Sequence, residues 1–64
     1  MSQKNAILSY LRRHKTITAI QALDAIGCFR LAARVAELRD SGHKIATEWV
    51  KQGEKRFARY RLVA

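Results

Sequence analysis

Apolar residues near the start of the chain recur at the spacing of a helix. Between residues 2 and 14, Ile7, Leu8 and Leu11 follow the i, i+1, i+4 pattern of a helix that buries one stripe. Ser2 has the short polar side chain that commonly caps a helix N-terminus. The segment therefore predicts a first helix with Ser2 as its N-cap.

A second helix is predicted after a short break at residues 15–17. Thr18 and Gln21 stand three residues apart, the spacing of a capping box in which each side chain accepts a hydrogen bond from the other's backbone N–H. This helix is predicted to begin near Ala19 and to end at Gly27, since glycine readily adopts the left-handed conformation that stops helices. The residues predicted to be buried on it are Ile20 and Leu23.

The third predicted helix follows a tight connection at residues 27–28. Leu31, Val35 and Leu38 recur at i, i+4 and i+7, and the Ser-Gly pair at 41–42 supplies a stop. Two short helices joined by a glycine-containing turn have the form of a helix-turn-helix, whose second helix enters the major groove of DNA. The same corner also occurs as a plain packing unit in helical bundles.

The period of the pattern changes from helical to two after the third helix. Side chains alternate in character over residues 45–50 and again over 58–62, which predicts two strands joined through residues 51–54. A lone hairpin is marginal in water, so its apolar face must dock on the helices. The residues predicted to form that face are Trp49, Tyr60 and Leu62. The predicted fold is α+β, three helices followed by a two-stranded antiparallel hairpin.

Length and charge narrow the range of functions. The 64 residues have room for one domain, predicted to span 1–64, and a hydrophobic share of 48% suits a chain that folds. Thirteen Lys and Arg against five Asp and Glu give a net charge of +8. An excess of this size points to a polyanionic partner, with nucleic acid first and an anionic membrane surface second.

The predicted hairpin carries a large share of this charge. Its tip projects into solvent, where clustered cations repel one another unless phosphate neutralises them. The only acid among residues 51–61 is Glu54. The cations there are Lys51, Lys55, Arg56, Arg59 and Arg61.

Four parts of the chain carry a resemblance to a known family: the stretch 31–39, then Gly42, then Ile45, and finally Arg-Tyr-Arg-Leu at 59–62. Together they resemble the winged helix-turn-helix family, and more narrowly the small helix-turn-helix proteins common in bacteriophage genomes. The resemblance spans nearly the whole chain. It implies a recognition helix at the third helix and a wing at the hairpin.

The outward face of the third helix holds the candidate base-reading residues. With Leu31, Val35 and Leu38 inside, the helical wheel turns small residues outward, which lets a helix approach base edges closely. Either of two arginines, Arg30 or Arg34, has the fork geometry to pair with a guanine edge. The alternative is that Arg34 pairs with Glu37 or Asp40 on a solvated face. The DNA-reading candidates are Arg30, Ala33, Arg34 and Glu37.

Two groups of cations are candidates for phosphate contacts. One lies at the end of the first helix and the other on the hairpin, although an exposed helix end would look the same without DNA. His14, beside the first group, fits a role in stabilising the helix C-terminus at least as well as a phosphate contact. The predicted phosphate-binding residues are Arg12, Arg13, Lys15, Lys51, Lys55 and Arg56.

Other kinds of chemistry find little support. A single cysteine, Cys28, forms no internal disulfide, and with two distant histidines it gives no zinc spacing. No nucleophile and base stand at a catalytic spacing, and no apolar run is long enough for a membrane helix. We therefore expect a cytoplasmic protein with no metal, cofactor, small-molecule ligand or enzymatic activity. Phe29, beside the turn, fits either a cap on the core or a dimer contact.

The leading hypothesis is sequence-specific binding of double-stranded DNA, as a small transcriptional regulator or a recombination accessory protein of phage or bacterial origin. The residues leave open whether monomers pair on DNA. One alternative is a protein-interaction module, which the high charge and scarce aromatic residues disfavour. Another is RNA or left-handed duplex binding, which an outward-facing Trp49 or Tyr60 would favour.

Overall fold

The computed structural model describes residues 3–63, and it contains three helices and three strands. Its elements in chain order are α1 (Gln3–His14), β1 (Thr16–Thr18), α2 (Ala19–Ile26), α3 (Leu31–Asp40), β2 (Ile45–Gln52) and β3 (Lys55–Leu62). The predicted α+β class, with three helices and a following antiparallel hairpin, is confirmed. The predicted N-cap, Ser2, lies outside the described residues.

A third strand, β1, joins the hairpin and was not predicted. The sheet order is β1-β3-β2, with both pairings antiparallel and Ile17 of β1 opposite Tyr60. Three residues are too few to show the alternation of a strand, so residues 15–17 were predicted to be a break between helices. The strand is held because Ile17 is fully buried in the core.

The core lies between the helices and the base of the sheet. Of the stripe predicted for the first helix, Ile7 and Leu11 are buried and Leu8 is partly buried against the core. All three residues predicted for the stripe of the third helix, Leu31, Val35 and Leu38, are buried. The buried residues are Ile7, Leu11, Ile17, Ala22, Cys28, Leu31, Val35, Leu38 and Ile45. Tyr60 and Leu62 pack against this cluster, as predicted for the docking face of the hairpin.

The start and end of α2 are confirmed, but its buried face was predicted wrongly. Thr18 and Gln21 form the complete capping box, and Gly27 stops the helix at a φ of 77°. Ala22 is the buried residue, whereas Ile20 is 76% exposed and Leu23 44% exposed. The small alanine allows α2 to approach the core closely, and this phase turns the two larger side chains toward solvent.

The second correction concerns Trp49, which was predicted to dock on the helices and is 67% exposed. The phase of the strand is right, since Ile45 on the same hairpin face is buried. Trp49 lies four residues further along β2, about 13 Å from Ile45. Thr47 and Lys51, its neighbours on this face, are exposed as well, so the core covers only the start of the strand. The connection is also tighter than predicted, because Gln52 already pairs with Lys55.

Candidate nucleic-acid interface

The outward face of α3 presents small side chains beside acidic ones. Leu31, Val35 and Leu38 point into the core, so the opposite side of the helix is free to meet a partner. Ala36 and Glu37 are exposed there, and Ala33 is half-buried. This face has the low profile that a helix needs in order to approach the edges of base pairs.

Arg34 lies on the flank of α3 that faces the start of α1. Its Nε is 3.4 Å from Oε1 of Glu37. That nitrogen is inaccessible to solvent and makes no hydrogen bond, so the contact with Glu37 is ionic only. Arg34 also lines a shallow groove with Gln3 and Lys4. The ion pair named as the alternative to base reading by Arg34 is therefore present.

Arg30 lies at the N-terminus of α3 and is exposed. It is the N-cap residue, but its side chain makes no capping hydrogen bond. It lines a groove of about 390 Å³ between the α2–α3 turn and the hairpin, together with Phe29, Ala33 and Ala58. The fold thus brings two of the predicted reading residues, Arg30 and Ala33, next to the hairpin. Phe29 is 85% exposed at this groove, so it does not cap the core.

The cations of the hairpin fall into two groups. Arg59 and Arg61 both bind Glu48, with Nη2 of Arg59 at 3.0 Å and Nε of Arg61 at 2.9 Å from its oxygens. The hydrogen bond from Arg61 holds the pKa of the Glu48 carboxyl below its usual value, and the bond from Arg59 adds to this. The same contact raises the pKa of Arg61. These two arginines are thereby partly neutralised.

The second group lies nearer the tip of the hairpin. Lys51 is paired across the strands with Arg56, and Lys55 with Gln52. Lys51, Lys55 and Arg56 are exposed, and none of them has an ion pair within residues 3–63. These three predicted phosphate-binding residues therefore form one continuous basic tip.

Two residues that were not among the predicted DNA-reading or phosphate-binding residues belong to this surface. Trp49 lies on the same hairpin face as Arg56, whose guanidinium carbon is 5.7 Å from the centroid of the indole ring. The period-two pattern of residues 45–50 gave the correct face for Trp49, but not how much of that face the core covers. Arg39 donates hydrogen bonds from α3 to the Ile45 carbonyl at 2.8 Å and to the Thr47 hydroxyl at 2.9 Å. Arg39 thereby fixes the hairpin relative to α3.

A second group of cations, called here the α1 cations, consists of two arginines of α1 and the lysine that directly follows this helix, and it lies at the opposite end of the sheet. Arg12, Arg13 and Lys15 are exposed, and the Lys15 carbonyl accepts a hydrogen bond from the Leu62 N–H at 2.9 Å. Leu62 is seven residues from Lys55 along β3, a span of about 23 Å. The structure therefore separates the two predicted groups of phosphate-binding residues.

The remaining polar residues fit structural roles. The rings of Tyr10 and His14 lie 4.4 Å apart on α1, and Cys28 is a free, buried thiol. Over residues 3–63, no group of three or more His, Cys, Asp and Glu is placed to hold a metal ion. None of the helices in the same range combines the length and apolar character needed to cross a membrane.

Comparison with known proteins gives one match. A family model described as a winged helix-turn-helix domain matches residues 2–64. Searches of curated proteins and of solved structures give no match. The family match covers α1, β1, α2, α3 and both strands of the hairpin, so it includes every element of the surface described above.

Proposed function

The chain belongs to the winged helix-turn-helix domain family, and from this premise we propose that it binds double-stranded DNA with sequence specificity. In this fold the second helix of the helix-turn-helix lies in the major groove of DNA. In this chain that helix is α3. The observation that carries the proposal is the groove that joins Arg30 and Ala33, at the start of α3, to Phe57 and Ala58 of the hairpin. Phe57 directly follows Arg56 of the basic tip along β3, so a low helix face and a basic hairpin belong to one surface. The net charge of +8 suits a phosphate backbone.

In this proposal α3 reads bases and the cations hold phosphates. Arg30 is the reading residue best placed for a guanine edge, since it is exposed and has no ion pair among the described residues. Ala33 permits the close approach, and Glu37 can accept a hydrogen bond from a cytosine amino group. Arg34 belongs to the same surface, where its contact orients the Glu37 carboxylate.

The proposed phosphate contacts come from both ends of the sheet. The basic tip of the hairpin contacts DNA phosphates on one side of α3. The α1 cations contact phosphates near the other end of β3, about 23 Å from the tip. The residues in these roles are Lys51, Lys55 and Arg56 at the tip, and Arg12, Arg13 and Lys15 at the end of α1 and just after it. Such a module requires no catalytic step. We propose that it acts as a transcriptional regulator or recombination accessory protein, of phage or bacterial origin and cytoplasmic.

The alternatives differ in what the same surface would hold. A protein-interaction module would be expected to carry few lysines at its centre, which the basic tip contradicts. Binding of RNA or of a left-handed duplex is favoured by one observation, the exposed Trp49. We keep right-handed duplex DNA as the first candidate because the low face of α3 has no use in single-strand recognition.

A selection from random duplex DNA tests the proposal directly. We expect the chain to enrich one short motif, and the symmetry of that motif reports whether monomers pair on the site. The Arg30→Ala variant should lose part of the motif, whereas the Lys55→Ala variant should enrich the same motif more weakly. Equal recovery of all sequences by the unaltered chain would reject sequence-specific reading, and preferential retention of RNA over duplex DNA would favour the alternative.

A further inference from the structure

We propose that Trp49 and Arg56 form a stacking platform for one unpaired DNA base, so that the chain prefers duplex DNA carrying an extrahelical base. This rests on the proposed function and adds a ligand feature that α3 does not read. The starting observation is the position of the indole ring, 67% exposed on the face of the hairpin that is buried only at its base.

The neighbours of Trp49 leave its ring accessible. Its cross-strand partner is Ala58, whose single methyl group covers little of an indole. Arg56 lies diagonally opposite, with its guanidinium carbon 5.7 Å from the ring centroid. The ring is thus positioned by a cation but not enclosed by the protein. A single exposed apolar residue is common, so exposure alone would not indicate a site.

Charge beside the ring is the second observation. Lys51 and Arg56 form a cross-strand pair on the same hairpin face as Trp49, immediately toward the tip. Exposed aromatic rings among cations are how proteins hold single-stranded nucleic acid, because the ring stacks on a base while the cations bind the adjoining phosphates. Trp49, Arg56 and Lys51 supply both parts within two rungs of one hairpin.

The base must be unpaired because a paired base has no open face. Within a duplex each base stacks on neighbours at both sides, and inserting a ring between them costs a few kcal/mol of unstacking. A base that already lies outside the helix avoids this cost. The proposed ligand is therefore a duplex that binds α3 and carries one extrahelical base, which stacks on Trp49 and Arg56 of the hairpin.

Fluorescence of the chain's only tryptophan provides the test. We would titrate the unaltered chain with three duplexes of the same flanking sequence: intact, with a one-base bulge, and with an abasic residue at the bulge. The abasic duplex keeps the bend and the flexible backbone but lacks the base. We expect the bulged duplex alone to quench the emission, and to bind about 5- to 100-fold tighter than either other duplex.

Variants separate stacking from a structural role of the ring. Trp49→Phe keeps a ring and should retain part of the preference for the bulge, measured by anisotropy of labelled DNA, whereas Trp49→Ala should lose it. Val50→Ala, on the opposite face of the same strand, should keep the full preference. Thermal melts establish that each variant is folded. If Trp49→Ala is unfolded, retention of the full preference by a folded Trp49→Leu variant overturns the proposal.

The outcomes distinguish this proposal from the proposed function. Equal binding of bulged and abasic duplexes overturns stacking, because flexibility then accounts for any preference over the intact duplex. Salt-dependent, sequence-specific binding of intact duplex with no preference for the bulge also overturns it, but leaves the proposed function standing. Failure to bind any of the three duplexes overturns both.

Discussion

Glu48 and Arg61 are joined diagonally across the hairpin, with the Nε of Arg61 2.9 Å from Oε2 of the carboxylate. Arg59, the direct cross-strand partner of Glu48, binds the other oxygen. One acid therefore engages two of the five hairpin cations. This face of the hairpin is partly neutralised, while the opposite face, with Trp49, keeps Arg56 and Lys51 available for phosphate.

Releasing these two arginines should strengthen DNA binding. In Glu48→Gln we expect tighter binding to all duplexes, because Arg59 and Arg61 become available to phosphate. The plot of log binding constant against log salt should steepen by about one to two units. Glu54→Gln is the matched control, because it removes the same charge from a carboxylate with no ion pair in the described chain. Equal steepening in both variants would show that net charge alone, and not the arginine release, is responsible.

The lowered pKa of Glu48 sets the pH range over which its ion pairs stabilise the fold. Because the pKa is lower in the folded chain than the reference value of 4.5, the stabilisation is present above that value and is lost as pH falls through the folded pKa. We expect the unaltered chain to melt at a higher temperature than Glu48→Gln at pH 7, and this difference to disappear as the pH is lowered. A difference that persists at low pH would exclude the ionised carboxylate as its source.

Burial predicts losses of stability of different size for two truncations. Leu38 is 1% exposed, so Leu38→Ala should lower the free energy of unfolding by about 2–5 kcal/mol, a large share of the stability of so small a domain. Trp49→Ala should cost about 1 kcal/mol or less, mainly through the lost contact with Arg56. Urea denaturation measures both. A larger loss for Trp49 than for Leu38 would mean that the indole packs on the helices after all.

The sequence was sufficient where neighbouring residues decide the structure. The capping box of Thr18 and Gln21 and the stop at Gly27 need only local hydrogen bonds and backbone conformation, and both are present as predicted. Period-two alternation also placed Ile45 and Trp49 on one hairpin face correctly. How much of that face is covered depends on packing between elements, which no pattern within the strand records.

Residues held by distant partners could not be inferred in the same way. Strand β1 exists because β3 lies beside it, and the buried side of α2 follows from how closely Ala22 approaches the core. The hydrogen bonds of Arg39 could not be predicted because its partners, Ile45 and Thr47, lie in another element, β2. For the candidate site, the residue types were enough to predict which side chains could bind DNA. They could not predict that the α1 cations and the hairpin tip lie at opposite ends of the sheet.

The two groups of cations should contribute alike to salt dependence if they contact one duplex. About five phosphate contacts from these residues predict a slope of roughly −4 to −5 in the plot of log binding constant against log salt. Lys55→Ala at the hairpin tip and Arg12→Ala on α1 should each reduce its magnitude by about one unit, without changing base preference. Binding titrations at four salt concentrations would show this. An unchanged slope in Arg12→Ala alone would remove the α1 end from the contact surface.

The last prediction concerns which of two arginines recognises a base, Arg30 at the N-cap of α3 or Arg34 within the helix. Arg30 is exposed at the start of the helix, beside the hairpin groove, whereas Arg34 contacts Glu37 and faces α1. If Arg30 pairs with a guanine edge, Arg30→Ala should weaken binding to the cognate site by about 1–3 kcal/mol and relax preference at one base position. Arg34→Ala should leave that position unchanged and affect only the position read by Glu37.

Arg30→Lys and a scrambled duplex serve as controls for this division. Lysine keeps the charge but lacks the two-pronged geometry of the guanidinium, so Arg30→Lys should bind scrambled DNA normally and still lose discrimination at the guanine. Full discrimination by Arg30→Lys combined with lost discrimination by Arg30→Ala would mean that a single ammonium donor is enough to read the guanine. Full discrimination by both variants would mean that Arg30 contributes charge only. If Arg34→Ala relaxed the guanine position instead, Arg34 would have to leave Glu37 on binding, and it would be the reader. If both variants were neutral while Lys55→Ala altered base preference, the hairpin would be the element in the groove, because a contact to phosphate alone weakens all sequences equally.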